Sequence, residues 1–69
     1  MMKEIIYRYM LHHGGISRAW KTREIADAFG LSAYQTRYYL ICLSREGRLL
    51  RVVFGRGTPG VWKLSGVNL

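Results

Sequence analysis

One cysteine, one proline and four acidic residues are the scarcities of this 69-residue sequence. Cys42 alone excludes an internal disulfide and any zinc or iron–sulfur site built from several cysteines of one chain. A secreted domain this small usually needs covalent staples, so a reducing compartment, the cytoplasm, is expected. No stretch reaches eighteen consecutive apolar residues, which argues against a bilayer-spanning helix. The opening run, Met1 to Leu11, does not read as a signal peptide, because Glu4 and Arg8 interrupt it and no small-residue cleavage site follows. His12 and His13 have no carboxylate or cysteine cluster beside them, so helix-end histidines are expected rather than a metal or acid–base site. No nucleophile, proton-transfer pair or metal set converges, so neither an enzyme nor a cofactor is expected.

What remains is basic. Eleven Lys and Arg face four Asp and Glu, a formal net charge of +7, and eight of the eleven are arginine. Such charge on one small domain points to a polyanion, nucleic acid before membrane. Arginine suits that partner, because its planar fork donates two parallel hydrogen bonds to phosphate or guanine. With 49% apolar residues the chain holds enough material for one compact core.

Met2, Ile5, Ile6, Tyr9 and Met10 recur at helical spacing and predict an amphipathic helix that ends at His12-His13-Gly14-Gly15, the paired glycines supplying left-handed backbone. Ile16 to Trp20 fits a brief strand or an ordered loop. A second helix opens at Thr22, whose hydroxyl can cap the first turn, and buries Ile25, Ala26 and Phe29 before Gly30 stops it. Ser32 and Gln35 form an S-x-x-Q capping box for a third helix, about Ala33 to Glu46, halted by Gly47. Leu49 to Phe54 and Val61 to Leu64 then read as two strands around a turn-rich tip, residues 55 to 60. The expected domain covers residues 1–64, with 65–69 as a tail.

A small residue, a glycine-like turn and inward apolar positions are what two helices need to cross as a helix–turn–helix. Ala26, Gly30, and Leu31 with Leu40 meet these needs, while Thr36 stands where Val or Ile is more usual and its hydroxyl can bond back to a carbonyl. With the following hairpin the pattern spells an α+β winged helix–turn–helix, three helices and a two-stranded wing. A helical wheel of the third helix turns Ala33, Thr36, Tyr39, Leu40 and Leu43 inward. It turns Tyr34, Tyr38, Ile41 and Arg45 outward, with Arg37 on one flank and Gln35 and Cys42 on the other.

The outward first half therefore shows Tyr34, Gln35, Arg37 and Tyr38, residue types that read base edges or hold phosphates. Ser32 adds a hydroxyl at the positive end of that helix, and Arg56 at the wing tip, between two glycines, can enter a minor groove. Thr22, Ser32, Tyr34, Gln35, Arg37, Tyr38 and Arg56 are thus the candidate contacts to double-stranded DNA. From Gly30 onward six basic residues oppose Glu46 alone, a balance of +5. Tyr39, Trp20 and Trp62 read as core and Cys42 as a partly buried packing residue. The apolar neighbours Tyr38 and Ile41 leave a second reading open, an adaptor that binds protein instead of DNA.

The run Ser32-Ala33-Tyr34-Gln35-Thr36-Arg37-Tyr38-Tyr39-Leu40, followed by Arg45-Glu46-Gly47, resembles the PapI/FaeA family of fimbrial operon regulators, which carries a Tyr-Gln-x-Arg-x-Tyr-Leu signature on its third helix. Lys21 to Asp27 and Gly57 to Leu64 are similar to its PefI-like members. The resemblance implies a small bacterial transcription regulator of adhesive pili, often acting by phase variation. It further implies joint action with the leucine-responsive regulatory protein at GATC sites whose adenine methylation gates binding. It assigns contacts to Tyr34, Gln35, Arg37 and Tyr38.

Overall fold

The computed structural model describes residues 1–52 and 60–66. The chain order is α1 (Met2–His13), a 3₁₀ turn at Gly15–Ser17, β1 (Ala19–Lys21), α2 (Thr22–Phe29), α3 (Ala33–Arg45), β2 (Leu49–Val52) and β3 (Val61–Leu64). Both alternatives left open for Ile16 to Trp20 are used: the segment begins in the 3₁₀ turn and ends in a strand. That strand enlarges the expected two-stranded wing to an antiparallel three-stranded sheet, order β1-β3-β2. Trp20 pairs with Trp62 on one side of β3, and Arg51 pairs with Trp62 on the other. The tip residues 53–59, Arg56 and the end of the first expected strand among them, lie outside the described residues, as do 67–69.

Ile6 and Met10 of α1, Trp20, Ile25, Leu40 and Leu43 of the middle, and Leu49, Trp62 and Leu64 of the sheet form one buried cluster. The helix–turn–helix elements are thereby clamped between α1 and the sheet. Ile5 departs from its expected place and is exposed, whereas Tyr7 packs half-buried against the cluster. The inward stripe of α1 is thus rotated toward Tyr7, whose ring carries the Arg48 guanidinium at 4.0 Å. Gly30 adopts φ +65°, the left-handed conformation that an L side chain resists. The paired glycines after α1 differ from one another. Gly15 is left-handed, but Gly14 is extended at φ −167° and is small for another reason, since a Cβ there would meet Arg18 Cβ at 2.7 Å.

Two polar ties hold the elements in register. Trp62 Nε1 donates to Thr22 Oγ1 at 2.9 Å, and that hydroxyl donates to the Gly60 carbonyl at 3.4 Å. The expected cap role of Thr22 is corrected accordingly. Lys21 is the residue before α2, Thr22 is its first helical residue, and Glu24 accepts from the Lys21 backbone N–H at 2.8 Å. The hydroxyl instead joins the start of α2 to the end of the wing. The second tie is Arg48, whose two terminal nitrogens donate to the Glu4 carboxylate at 2.6 and 2.9 Å and which also meets Glu46 at 3.2 Å. Lys3 pairs with Glu46 as well. Arg48 therefore clasps α1 to the chain leaving α3, and its charge is withdrawn from the basic half in which the sequence count placed it.

Thr22→Val removes the acceptor of the Trp62 indole while keeping the side-chain shape, and is expected to cost about 1–3 kcal/mol in urea unfolding, with Thr22→Ser close to wild type. Acid acts on the other tie. The hydrogen bonds from Arg48 hold the Glu4 carboxyl below its usual range, and those from Lys3 and Arg48 do the same for Glu46. A carboxylate depressed in the folded state stabilises fully above its unfolded pKa, and that contribution is lost as pH falls through the folded one. Stability should drop below the usual carboxylate range, and Glu4→Gln should flatten the drop in denaturation curves across pH.

Candidate nucleic-acid interface

The orientation of α3 is fixed from both ends. At its start the Gln35 backbone N–H donates to Ser32 Oγ at 3.0 Å while Gln35 Oε1 accepts from the Ser32 backbone N–H at 3.3 Å, the expected reciprocal cap. Along its length Thr36, Leu40 and Leu43 are buried and Tyr39 is half-buried against the core. Ala33, expected on the inner face, is exposed and faces an open cleft shared with Lys21, Thr22 and Arg23. The Thr36 hydroxyl makes no back-bond and has no hydrogen-bond partner among the described residues. Packing shape, not a hydrogen bond, holds Thr36 inside.

Opposite this stripe Tyr34 is 85% and Tyr38 63% exposed, and Gln35 and Arg37 are exposed beside them. Tyr38 leans edge-on against Tyr39 with ring centroids 5.9 Å apart, which limits the positions its ring can take. Tyr34, Arg37, Tyr38 and Ile41 line a shallow cleft along the helix. Ile41, placed fully outward by the wheel, is half-buried and packs against the core while lining that cleft. Arg37 carries no ion pair or hydrogen bond among the described residues, and its guanidinium fork is unspent. Gln35 is partly spent, since its carbonyl oxygen serves the cap and also accepts from the Ser32 hydroxyl at 3.3 Å; only its amide donors face outward uncommitted.

Of the seven candidate contacts, Ser32, Tyr34, Gln35, Arg37 and Tyr38 come together on one end and face of α3. Thr22 is half-buried and its hydroxyl is already engaged on both sides. Arg56 lies outside the described residues. A second open cleft, lined by Lys21, Thr22, Arg23 and Ala33, adjoins the start of α3. Its cations Lys21 and Arg23 have no acidic partner among the described residues, and sequence reasoning passed over both. The signal was present as Lys-Thr-Arg at the mouth of α2, but only the packing of α2 beside α3 makes it part of the same surface. Three of the four acids, Glu4, Glu24 and Glu46, are instead paired with Arg48, Arg18 and Lys3.

The FaeA-like protein family matches residues 2–66, nearly the whole chain. The chain belongs to that family. Among relatives of this FaeA-like protein, the F1845 fimbrial adhesin operon regulatory protein DaaF of Escherichia coli is 39% identical over 56 residues, covering 81% of this chain and 75% of that one. The major pilus subunit operon regulatory protein of Escherichia coli is 41% identical over 66 residues, 96% of this chain and 79% of the other. In fold, the FaeA-like chain is similar to the Zalpha domain of Carassius auratus PKZ, solved in complex with Z-DNA, with a TM-score of 0.72 at 22% identity over 91% of this chain and 90% of that one. That likeness establishes the winged helix–turn–helix architecture. Among the described residues no helix is long and apolar enough to cross a membrane.

The cap is the part of this surface most open to a stability measurement. Ser32→Ala is expected to lose about 1 kcal/mol in chemical denaturation, and Ser32→Gly only a few tenths.

Proposed function

We propose that this protein is a DNA-binding transcription regulator of a fimbrial operon, laying α3 in the major groove of a duplex. The observation that carries the reading is the joint outward projection of Tyr34, Arg37 and Tyr38 on the face of α3 opposite Thr36, Leu40 and Leu43. Arg37 is the base reader, its free fork matching the O6 and N7 acceptors of guanine. Lys21 and Arg23 meet phosphates beside the groove, and the free amides at the start of α3 meet another, while Ser32 can join them only if its hydroxyl leaves the cap. Gln35 reads a base only after its carbonyl oxygen leaves the cap, so it contributes less than Arg37. The names of the relatives, regulators of fimbrial and pilus operons, support the operon class.

One recognition helix spans few base pairs, so a monomer binds weakly alone and gains affinity beside a larger DNA-bound protein through effective concentration. The resemblance to the PapI/FaeA group names the leucine-responsive regulatory protein for that part, in the bacterial cytoplasm. In vitro selection from random duplexes, with and without that protein, tests the reading.

Binding should weaken steeply with salt, as phosphate contacts release counterions. Arg37→Ala should lower affinity for the selected duplex about 5- to 150-fold, the range of one bidentate base contact, and relax preference at one guanine. Because Arg37 is exposed and unpaired, its unfolding free energy should stay within about 0.5 kcal/mol of wild type. Unchanged sequence preference at matched salt would reject Arg37 as the reader. Tight, salt-insensitive protein binding with no duplex shifted would favour the adaptor reading.

A further inference from the structure

The cleft on α3 has a chemistry that phosphate binding leaves unexplained. It is lined by the exposed Tyr34 and Tyr38, the half-buried Ile41 and one charged side chain, Arg37. Two exposed tyrosine rings beside Ile41 make a small apolar patch, which gains by contact with a partner group that is itself apolar. Phosphates offer none, most base edges offer none, and the C–H faces of the sugars repeat at every nucleotide and mark no position. The major groove presents one apolar group of defined position, the C5-methyl of thymine.

We infer that this cleft is a thymine-methyl site, and that the protein recognises a thymine within a few base pairs of the guanine held by Arg37. The inference rests on the duplex reading above and adds the identity of a second base. Tyr34, Tyr38 and Ile41 stand at i, i+4 and i+7, a stripe about 10 Å long at 1.5 Å per residue. That length matches about three base-pair steps, so the methyl and the guanine fall within one helix's reach. Ile41 is braced against the core and Tyr38 against Tyr39, which leaves these parts of the lining standing before DNA arrives. Arg37 supplies the charge that draws the duplex in and the polar contact that fixes its register.

Replacing thymine by deoxyuridine deletes only the methyl, so the inference can be tested on the DNA with the protein unchanged. The probe is the duplex recovered by selection, with each thymine exchanged singly for deoxyuridine. One exchange near the guanine should weaken binding about 3- to 5-fold, the factor expected for taking one methyl out of apolar contact, while the others have no effect. Tyr34→Ser, at a position 85% exposed, should bind the thymine duplex more weakly yet no longer distinguish it from the deoxyuridine one. Ile41→Ala should behave alike, and Tyr34→Ser keeps the test valid if the half-buried Ile41 variant unfolds. If the protein binds the duplex with guanine preference but no thymine exchange matters, the methyl site is overturned and the DNA reading stands. If no duplex is bound at low salt, alone or with the companion regulator, both fall.

Discussion

The rotation of α3 about its own axis governs the rest of this molecule. At 3.6 residues per turn, burying Thr36, Leu40 and Leu43 fixes where every other side chain of the helix points. A change of one residue in that stripe would carry Tyr34, Arg37 and Tyr38 away from solvent and bring charge to the core. The rotation is held by packing against α1, α2 and the sheet, and the Ser32–Gln35 cap secures the start of the helix. The Thr36 hydroxyl is buried with no hydrogen-bond partner among the described residues, so the position is held by packing.

Charge is sorted by the same construction. Glu4, Glu24 and Glu46 are drawn into ion pairs with Arg48, Arg18 and Lys3. Lys21, Arg23 and Arg37 are left without acidic partners among the described residues, at the mouth of α2 and along α3. Exposed ion pairs contribute little stability one by one, so the more consequential effect of this arrangement is on the field. It neutralises three acids, leaving Asp27 as the one acid without an ion pair among the described residues. It also leaves Arg37 free at the apolar cleft and Lys21 and Arg23 free at the cleft beside the start of α3. On the proposed reading, Lys21 and Arg23 steer, Tyr34 and Tyr38 recognise, and Arg37 does both.

Local signals were legible in the sequence and distant ones were not. Gly30 and the Ser32–Gln35 cap lie within a few residues of what they control, and the α3 stripe is a matter of period, so the outward face of α3 could be read directly. The wheel misplaced Ala33 and Ile41. Ala33, at the first position of the helix, faces an open cleft, and Ile41, outward on the wheel, packs half-buried against the core all the same. Thr22 to Trp62 and Glu4 to Arg48 span some forty residues, and no pattern in either neighbourhood reveals the other. For the same reason Thr22 looked like a cap, Arg48 was counted with the free basic residues of its half, and Lys21 and Arg23 were overlooked. β1 was ambiguous because three residues are too few to show an alternation, and only the edge of β3 makes them a strand.

The central claim is that the face of α3 opposite Leu40 meets DNA. Backbone amide shifts of isotope-labelled protein, followed by NMR while a selected duplex is added, test it most directly. The account expects the largest changes from Ser32 to Tyr38 and at Lys21 and Arg23, with the exposed side of α1 around Ile5 and Arg8 unmoved. Changes concentrated on α1, with α3 silent, would contradict it.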